Sequence, residues 1–537
     1  MTDRQSARET TLAGKGVRRR SNLLTLAAAV CLLSATGSGC SSGTSVTSCE
    51  KLATLSLPDT TMTSAHLVDP GGFVPPNGRA GDSTTAPFAA LAAFCRVTAT
   101  IKVADSRVRT EVWLPASGWN GDFQPAGSSF WGGSIPYARM AALLRTGVAT
   151  AGTNLGIEGA TGPSFVLNNP EKLANLGNRP YHAVVANAKA IAAAHYGRPA
   201  TLSVIDECGG GGARDALAAV QRWPGDFDAV AATSFTNYGT HHGLAQMWLF
   251  QATHNDEASF IPASKYPMIH EAALSACDAK DGVKDGVIED PPRCAFDPGT
   301  LRCRGADAAD CLTAPQVAAV RKIYQAPSHA RTKQALYGPM VPGSELSWEP
   351  MTLSPRPYPY SESFYKYLVF KDPNWDFKTH PANFDTDVDR ADAAENLVIN
   401  AIDANIGPFL DRGGKLLLMG GWNDDLGPGN NVTYYESVIA ALGAERVKNS
   451  VRLFMIPGMH HCLNLDYPST YTVKLDVVAA LSHWKQAERA PDQLIVTTAR
   501  QNQPDRRRLV CAYPRVSFYA GQGSVDDPSS FVCRAPS

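Results

Sequence analysis

Charge of one sign is nowhere in surplus in this 537-residue chain: 49 Lys and Arg face 50 Asp and Glu, a formal net charge of −1. That balance supplies no basic field for a nucleic-acid backbone and no acidic tail. Long apolar runs are missing too. Leu23 to Ala35 is too short to span a bilayer stably, and it follows a basic, polar stretch containing Arg18-Arg19-Arg20. It has the build of an export signal, which predicts that residues 1-39 are removed and that the remainder works outside the cytoplasm. Paired Cys-x-x-Cys motifs and His clusters are also absent, which excludes the usual zinc sites.

Cysteine is what the chain does carry. Gly37-Ser38-Gly39-Cys40 puts one where a bacterial lipoprotein is cleaved and acylated, although Gly37 replaces the aliphatic residue usual there. Lipid anchoring at Cys40, periplasmic residence and ordinary secretion all stay open. Of 12 cysteines, setting aside Cys31 in the signal and Cys40 leaves ten, an even number suited to disulfides in an oxidising compartment. Local spacing favours Cys277 with Cys294, Cys303 with Cys311, and Cys511 with Cys533, while Cys49 with Cys95 closes the N-terminal part. Cys208 and Cys462 remain as a pair.

Residues 96-115 alternate in strand fashion. Tyr137 to Thr146 and His182 to His195 read as helices, and Val148 to Ala151 and Thr201 to Ile205 as strands, with a further helix from Arg214 to Trp223. Strands alternating with helices predict a largely parallel sheet. From about residue 240 the pattern breaks into short helices, four cysteines and Pro/Tyr-rich loops such as Ser354 to Tyr360, and sheet-like alternation returns near Ala401. The fold class expected is α/β: an α/β-hydrolase core in two parts, residues 49-240 and 396-537, split by an inserted lid domain at 241-395.

The order of the turns supports that core. An apolar strand running into Cys208-Gly209-Gly210-Gly211-Gly212 and an alanine-rich helix is where an α/β-hydrolase carries its nucleophilic serine, but this turn has no serine. Strand 415-419 leads to Asp424, and strand 451-456 leads to His461, so the order nucleophile turn, Asp, His is kept with two of three members present.

The chain resembles the tannase/feruloyl esterase family, which includes mono(hydroxyethyl) terephthalate hydrolases, from about Cys49 to Cys533. The resemblance is carried by Glu111-Val112-Trp113-Leu114-Pro115 with Trp119-Asn120-Gly121, by Gln221 to Asp228, and by Cys277 to Ile288. Gly413 to Leu416, Tyr434-Tyr435-Glu436 and Cys511 to Pro514 continue it. The family pattern is a Cys-Ser pair, a distant Asp and a His-Cys pair, the two cysteines being bonded. Cys208, Asp424, His461 and Cys462 fall on it, with Gly209 at the serine position. Counting back from Gln221-Arg222 indicates a one-residue insertion and shifts the serine position to Gly210; both registers give glycine. The resemblance implies hydrolysis of a carboxylic ester of an aromatic, phenolic acid, with His461 as base and acid and Asp424 as its orienter. The missing hydroxyl closes the acyl-serine route, so the competing expectation is a non-catalytic exported protein that binds an aromatic ester or acid.

Further positions differ from the family. The stretch that presents an oxyanion-stabilising amide reads Gly127-Ser128-Ser129-Phe130, and Ile157 and Gly420 stand where histidine is usual. The calcium motif is intact. Asp278, Asp281 and Asp285 offer hard oxygens within eight residues, and Gly282 and Gly286 allow a tight wrap exposing the carbonyls of Val283 and Val287. A solvated acidic turn is the alternative reading; the resemblance implies a structural Ca2+. His241-His242 read as polar loop residues at the lid base, His460 as a bystander, and Trp375 with the tyrosines of 358-366 as lid core or pocket wall.

Overall fold

The computed structural model describes residues 47–76, 85–128, 131–158, 162–465, 471–499 and 505–536; the export signal and Cys40 lie outside them. Alternation of apolar and polar residues produces β2 (Phe94–Val103) and β3 (Ser106–Pro115), a hairpin in which Val103 pairs with Ser106 across Ala104 and Asp105. Within β2, Val97, Ala99 and Ile101 point inward and alternate with half-buried Thr98 and Thr100, the two-residue period of a pleated strand. β1 (Thr60–Val68) and β5 (Thr150–Thr153) flank the hairpin in an antiparallel sheet ordered β1-β2-β3-β5.

The parallel sheet predicted from strand-helix alternation comprises β4 (Asp122–Phe123), β6 (Leu202–Cys208), β7 (Ala229–Thr233), β8 (Lys415–Gly421) and β9 (Val451–Ile456), in that spatial order with every pair parallel. β7 and β8 are buried along their whole length, as strands covered on both faces must be. Successive residues go to opposite sides. Val230, Ala232, Leu416, Leu418 and Leu453 join one apolar core, whereas Ala229, Ala231, Leu417, Met419 and Phe454 join a second. Residues of the helices Tyr181–Tyr196 and Arg214–Arg222 complete the first core, and those of the helix Val477–Ala487 the second. Near the C-terminus, β10 (Thr472–Lys474), β11 (Gln493–Ala499) and β12 (Arg506–Cys511) form an antiparallel sheet whose Val473, Val496 and Val510 also enter the second core.

Between β7 and β8 run residues 234–414, including the helices Gly239–His254, Tyr266–Cys277 and Ala314–Ile323. Leu249, Tyr266, Ile269, Val317, Val320 and Trp348 form a separate apolar cluster there. The insertion thus buries apolar surface of its own and is not a mere loop. Disulfides join Cys49 to Cys95, Cys208 to Cys462, Cys277 to Cys294, Cys303 to Cys311 and Cys511 to Cys533. No helix among the described residues is long and apolar enough to cross a membrane.

Candidate functional site

An open parallel sheet offers its ligand site beyond the carboxyl ends of its strands, and the residues singled out from the sequence converge there. β6 ends at Cys208, β8 is followed by Trp422 to Asp425, and β9 by the turn leading to His461 and Cys462. The Cys208–Cys462 bond ties the first of these ends to the last.

After Cys208 the backbone turns sharply, with Gly209 at φ 78°, in the left-handed region that glycine enters without a Cβ penalty. A single π-helical turn, Gly209–Ala213, precedes the helix Arg214–Arg222. A π turn is a helical turn carrying one extra residue. This turn thus takes one residue more than an α-helical turn would, and the residue next to Cys208 stands against His461. A Cβ on Gly209 would lie 3.0 Å from His461 Nε2, and its three nearest atoms would all belong to that ring.

Gly212 has a different cause, the Glu207 side chain lying beneath it. A Cβ on Gly212 would come within 2.7 Å of the Glu207 carboxylate, and one on Gly127 within 2.9 Å of the same side chain. The Gly127 N–H donates to Glu207 Oε1 at 2.9 Å and the Ser128 N–H donates to Asp215 Oδ2 at 2.8 Å. Two amides of the oxyanion stretch are thus turned onto carboxylates. Arg139 faces Glu207 at 3.3 Å, and burial pushes the Asp215 carboxyl up to about 6. Ser129 and Phe130 lie outside the described residues. Ile157 is buried in the first core, and a Cβ on Gly420 would run into the Asn431 side-chain amide, so position 420 has no room for a histidine as the chain stands.

His461 Nδ1–H donates to Asp424, 3.0 Å from Oδ2 and 3.2 Å from Oδ1. That bond leaves Nε2 as the acceptor facing Gly209. Asp424 is itself fixed by the Leu426 N–H at 3.0 Å. Burial works to raise the Asp424 carboxyl, but the charge of His461 and the hydrogen bond to it hold the group below its ordinary value. For His461 burial works to lower the imidazole, and Asp424 more than reverses it, leaving the base strengthened. Asp425 is the neighbour with the opposite fate: burial, then the charge of Asp424, push its carboxyl up to about 7.

A cavity of about 490 Å³ opens over this set, with Gly210, His460 and His461 among its lining residues, Trp131, Tyr358 and Tyr360 as aromatic wall, and His242, Gln246 and Asp425 as polar wall. Its size and its apolar lining with few polar groups are those of a small-molecule site. A hollow of about 670 Å³ between the helix Val477–Ala487 and β11 shares none of these residues. The loop reading of His241-His242 is corrected here: both lie buried in the first turns of the helix Gly239–His254. Burial pushes the His242 imidazole down to about 3, so it is neutral, and the Gln246 Nε2–H donates to its Nε2 at 2.9 Å. The aromatic residues divide. Trp375 stacks on Tyr365 and Phe370 at 5.2 and 5.4 Å in the core, while Tyr358 and Tyr360 reach the cavity. Sequence reasoning gave Glu207 and Asp425 no role and placed His242 on a loop; the one signal for Asp425 was the doubled Asp424-Asp425.

The acidic loop lies away from this cavity. Asp278 accepts from the Asp285 and Gly286 N–H groups at 3.2 and 3.0 Å, and Asp281 Oδ1 accepts from the Val283 N–H at 3.1 Å. Asp281 Oδ2 is buried with no hydrogen-bond partner among the described residues, and burial pushes that carboxyl up to about 6. Asp285 Oδ2 meets Arg506 at 2.8 Å and Arg508 at 2.9 Å, and Arg508 also meets Glu289 at 3.2 Å. These arginines, more than 200 residues downstream, had no signal in the sequence.

The chain is similar to known proteins over most of its length. The family model described as tannase and feruloyl esterase matches residues 95–534. An uncharacterized esterase of Xanthomonas campestris pv. campestris is 34% identical, with 93% of each chain covered. A probable feruloyl esterase B-1 of Aspergillus oryzae is 30% identical over 83% of this chain and 85% of its own. Among solved structures, feruloyl esterase B from Aspergillus oryzae superposes with a TM-score of 0.78 at 27% identity, covering 90% of this chain and 98% of that one. Tannin acyl hydrolase from Aspergillus niger shares the fold, with a TM-score of 0.71 at 17% identity and coverage of 89% and 92%.

The Asp425 carboxyl yields a pH prediction. An acid raised on folding is the more protonated in the native state between its ordinary value near about 4 and about 7. Stability from that proton is present at low pH and lost as pH rises through the folded value. Asp425→Asn removes the loss, so its melting temperature relative to the parent protein rises between about pH 5 and pH 8. A difference that stays constant with pH would show that Asp425 is ionised throughout.

Proposed function

The chain belongs to the tannase and feruloyl esterase family, and we propose that its cavity receives the ester of an aromatic, phenolic acid as a carboxylic ester hydrolase does, in a site whose serine is replaced by Gly209. One observation carries the reading: His461 Nε2 stands 3.0 Å from where a Cβ on Gly209 would be, with Asp424 on the other ring nitrogen. That is the relation of nucleophile, base and orienter in a serine esterase. Asp424 fixes the tautomer and supports the imidazolium, and His461 accepts and returns a proton. No serine ester forms, because glycine offers no hydroxyl. Trp131, Tyr358 and Tyr360 suit a phenolic ring, and relatives named as feruloyl esterases support an aromatic acyl group. A second reading, binding of an aromatic ester or acid without chemistry, is favoured by the Gly127 and Ser128 amides being spent on Glu207 and Asp215.

Residues 241–395 act in this proposal as a lid contributing Tyr358 and Tyr360. Export is supported by the disulfides, which persist in oxidising compartments; lipid attachment at Cys40 remains part of the proposal, that residue lying outside the described set. The loop 278–287 is proposed to hold a structural Ca2+ through the carboxylates of Asp278, Asp281 and Asp285 and the carbonyls of Val283 and Val287. Hard oxygens of this kind are calcium ligands, and the unpartnered Asp281 Oδ2 supports the fit. When bound, the ion would supply countercharge to clustered carboxylates and stiffen the lid.

Two measurements test these readings. On a panel of aromatic esters, Gly209→Ser is expected to raise turnover by at least about 10³ over the parent protein, since deleting the nucleophile of a triad enzyme costs about 10⁶ in kcat. No gain in a folded variant that still binds the acid product would contradict an esterase site. For calcium, chelation is expected to lower the melting temperature of the parent and to leave Asp281→Ala unmoved; an unchanged parent melt with no metal by elemental analysis would refute the site.

A further inference from the structure

We infer that the attacking water of this site sits in the cavity against His461 Nε2, on the side where Gly209 carries no side chain, and that the ester is cleaved by a single displacement with no acyl-enzyme. The inference rests on the ester-binding reading above.

Three features of the site lead to it. Among the described residues, leaving out the chain neighbours and the turn's own backbone, the three heavy atoms nearest a Cβ on Gly209 all belong to the His461 ring, at 3.0 to 4.0 Å. His461 also lines the cavity of about 490 Å³, from which a small oxygen nucleophile can meet Nε2 at hydrogen-bond distance, about 2.6–3.2 Å. Nε2 is the acceptor nitrogen because Nδ1–H is committed to Asp424, and that carboxylate strengthens the base. Gly210, the residue whose amide in an α/β-hydrolase helps hold the oxyanion, lines the same cavity. The left-handed turn at Gly209 and the Cys208–Cys462 bond keep that amide and the imidazole together.

The step balances without another reactant. The water oxygen bonds to the acyl carbon while its proton passes to Nε2, and the carbonyl electrons move onto oxygen. The tetrahedral species then collapses, the bond to the alcohol oxygen breaks, and that oxygen takes the proton back from Nε2. Acid and alcohol leave, and His461 is neutral again. A serine enzyme of the same architecture passes through a covalent ester; this chain does not.

The discriminating variant is Gly209→Ala, whose methyl would stand 3.0 Å from Nε2 and crowd a water off that nitrogen. Methyl ferulate hydrolysis is measured with the parent protein, Gly209→Ala, His461→Ala and Gly209→Ser, with intact mass after acid quench. The parent is expected to hydrolyse above the buffer blank with no acyl adduct, and both alanine variants to lose that activity roughly 10²-fold. Gly209→Ser alone is expected to carry an adduct. Equal rates for the parent and His461→Ala, or for the parent and Gly209→Ala, would overturn the inference, as would an adduct on the parent. Should the alanine at a left-handed position unfold the chain, the His461→Ala comparison still decides. Calorimetry with ferulic acid separates the two layers: binding without His461-dependent hydrolysis defeats only the water route, whereas no binding by the parent or Gly209→Ser defeats the ester-binding reading itself.

Discussion

The bond between Cys208 and Cys462 joins the ends of β6 and β9 across 254 residues of chain, and the meeting of Gly209 with His461 depends on it. Closing so long a loop in the unfolded chain is worth on the order of 5 kcal/mol in the chain-entropy account. Its consequence for the site is local. Each cysteine is next in sequence to a residue of interest, so the cross-link fixes the elbow backbone and the imidazole relative to one another whatever side chain stands at 209. The architecture of a nucleophile turn therefore persists around a residue that cannot be a nucleophile. The π turn over Gly209–Ala213 follows directly on this joint and leaves Gly209 facing the imidazole.

Around that joint the chain buries several ionisable groups whose states are set by their neighbours. Asp424 and His461 sustain each other's charge; Asp425, one residue on, is pushed up to about 7 by burial and by Asp424. Glu207 and Asp215 accept backbone amides from Gly127 and Ser128 and so hold the loop opposite the elbow. Burying a carboxylate is costly unless it is paired or hydrogen-bonded, and these two are. The same arrangement restricts which donors remain for a developing oxyanion and leaves the amide of Gly210 as the natural one. With a base in place, no hydroxyl at position 209 and the Gly127 and Ser128 amides bound to carboxylates, the site suits the proposed displacement by water better than acyl transfer through a serine.

Much of this was legible in the sequence. The strand at 202–208, the helix at 181–196 and the strands preceding Asp424 and His461 follow from apolar periodicity and turn residues, which act locally. His241-His242 was misread because Thr236, Asn237, Gly239 and Thr240 before it and Gly243 after it are poor helix formers; the helix there is stabilised by burial, which a local reading does not see. Glu207 beneath the elbow and the arginines on Asp285 were invisible for a related reason, since contacts across 80 and 223 residues leave no periodic trace. The antiparallel sheet β1-β2-β3-β5 was half visible: the hairpin from its alternation and a strand near β5 from residues 148–151, while β1 and the antiparallel pairing of β5 with β3 came only from the structure.

The central claim is that position 209, and not 210, is where a nucleophile would meet His461. It is tested most directly by covalent labelling with an aryl fluorophosphonate, followed by peptide mapping of the parent protein, Gly209→Ser and Gly210→Ser. The account predicts stoichiometric label at position 209 in Gly209→Ser and none on the parent or on Gly210→Ser. Label at position 210 in Gly210→Ser with none on Gly209→Ser, or label on the parent protein, would contradict it.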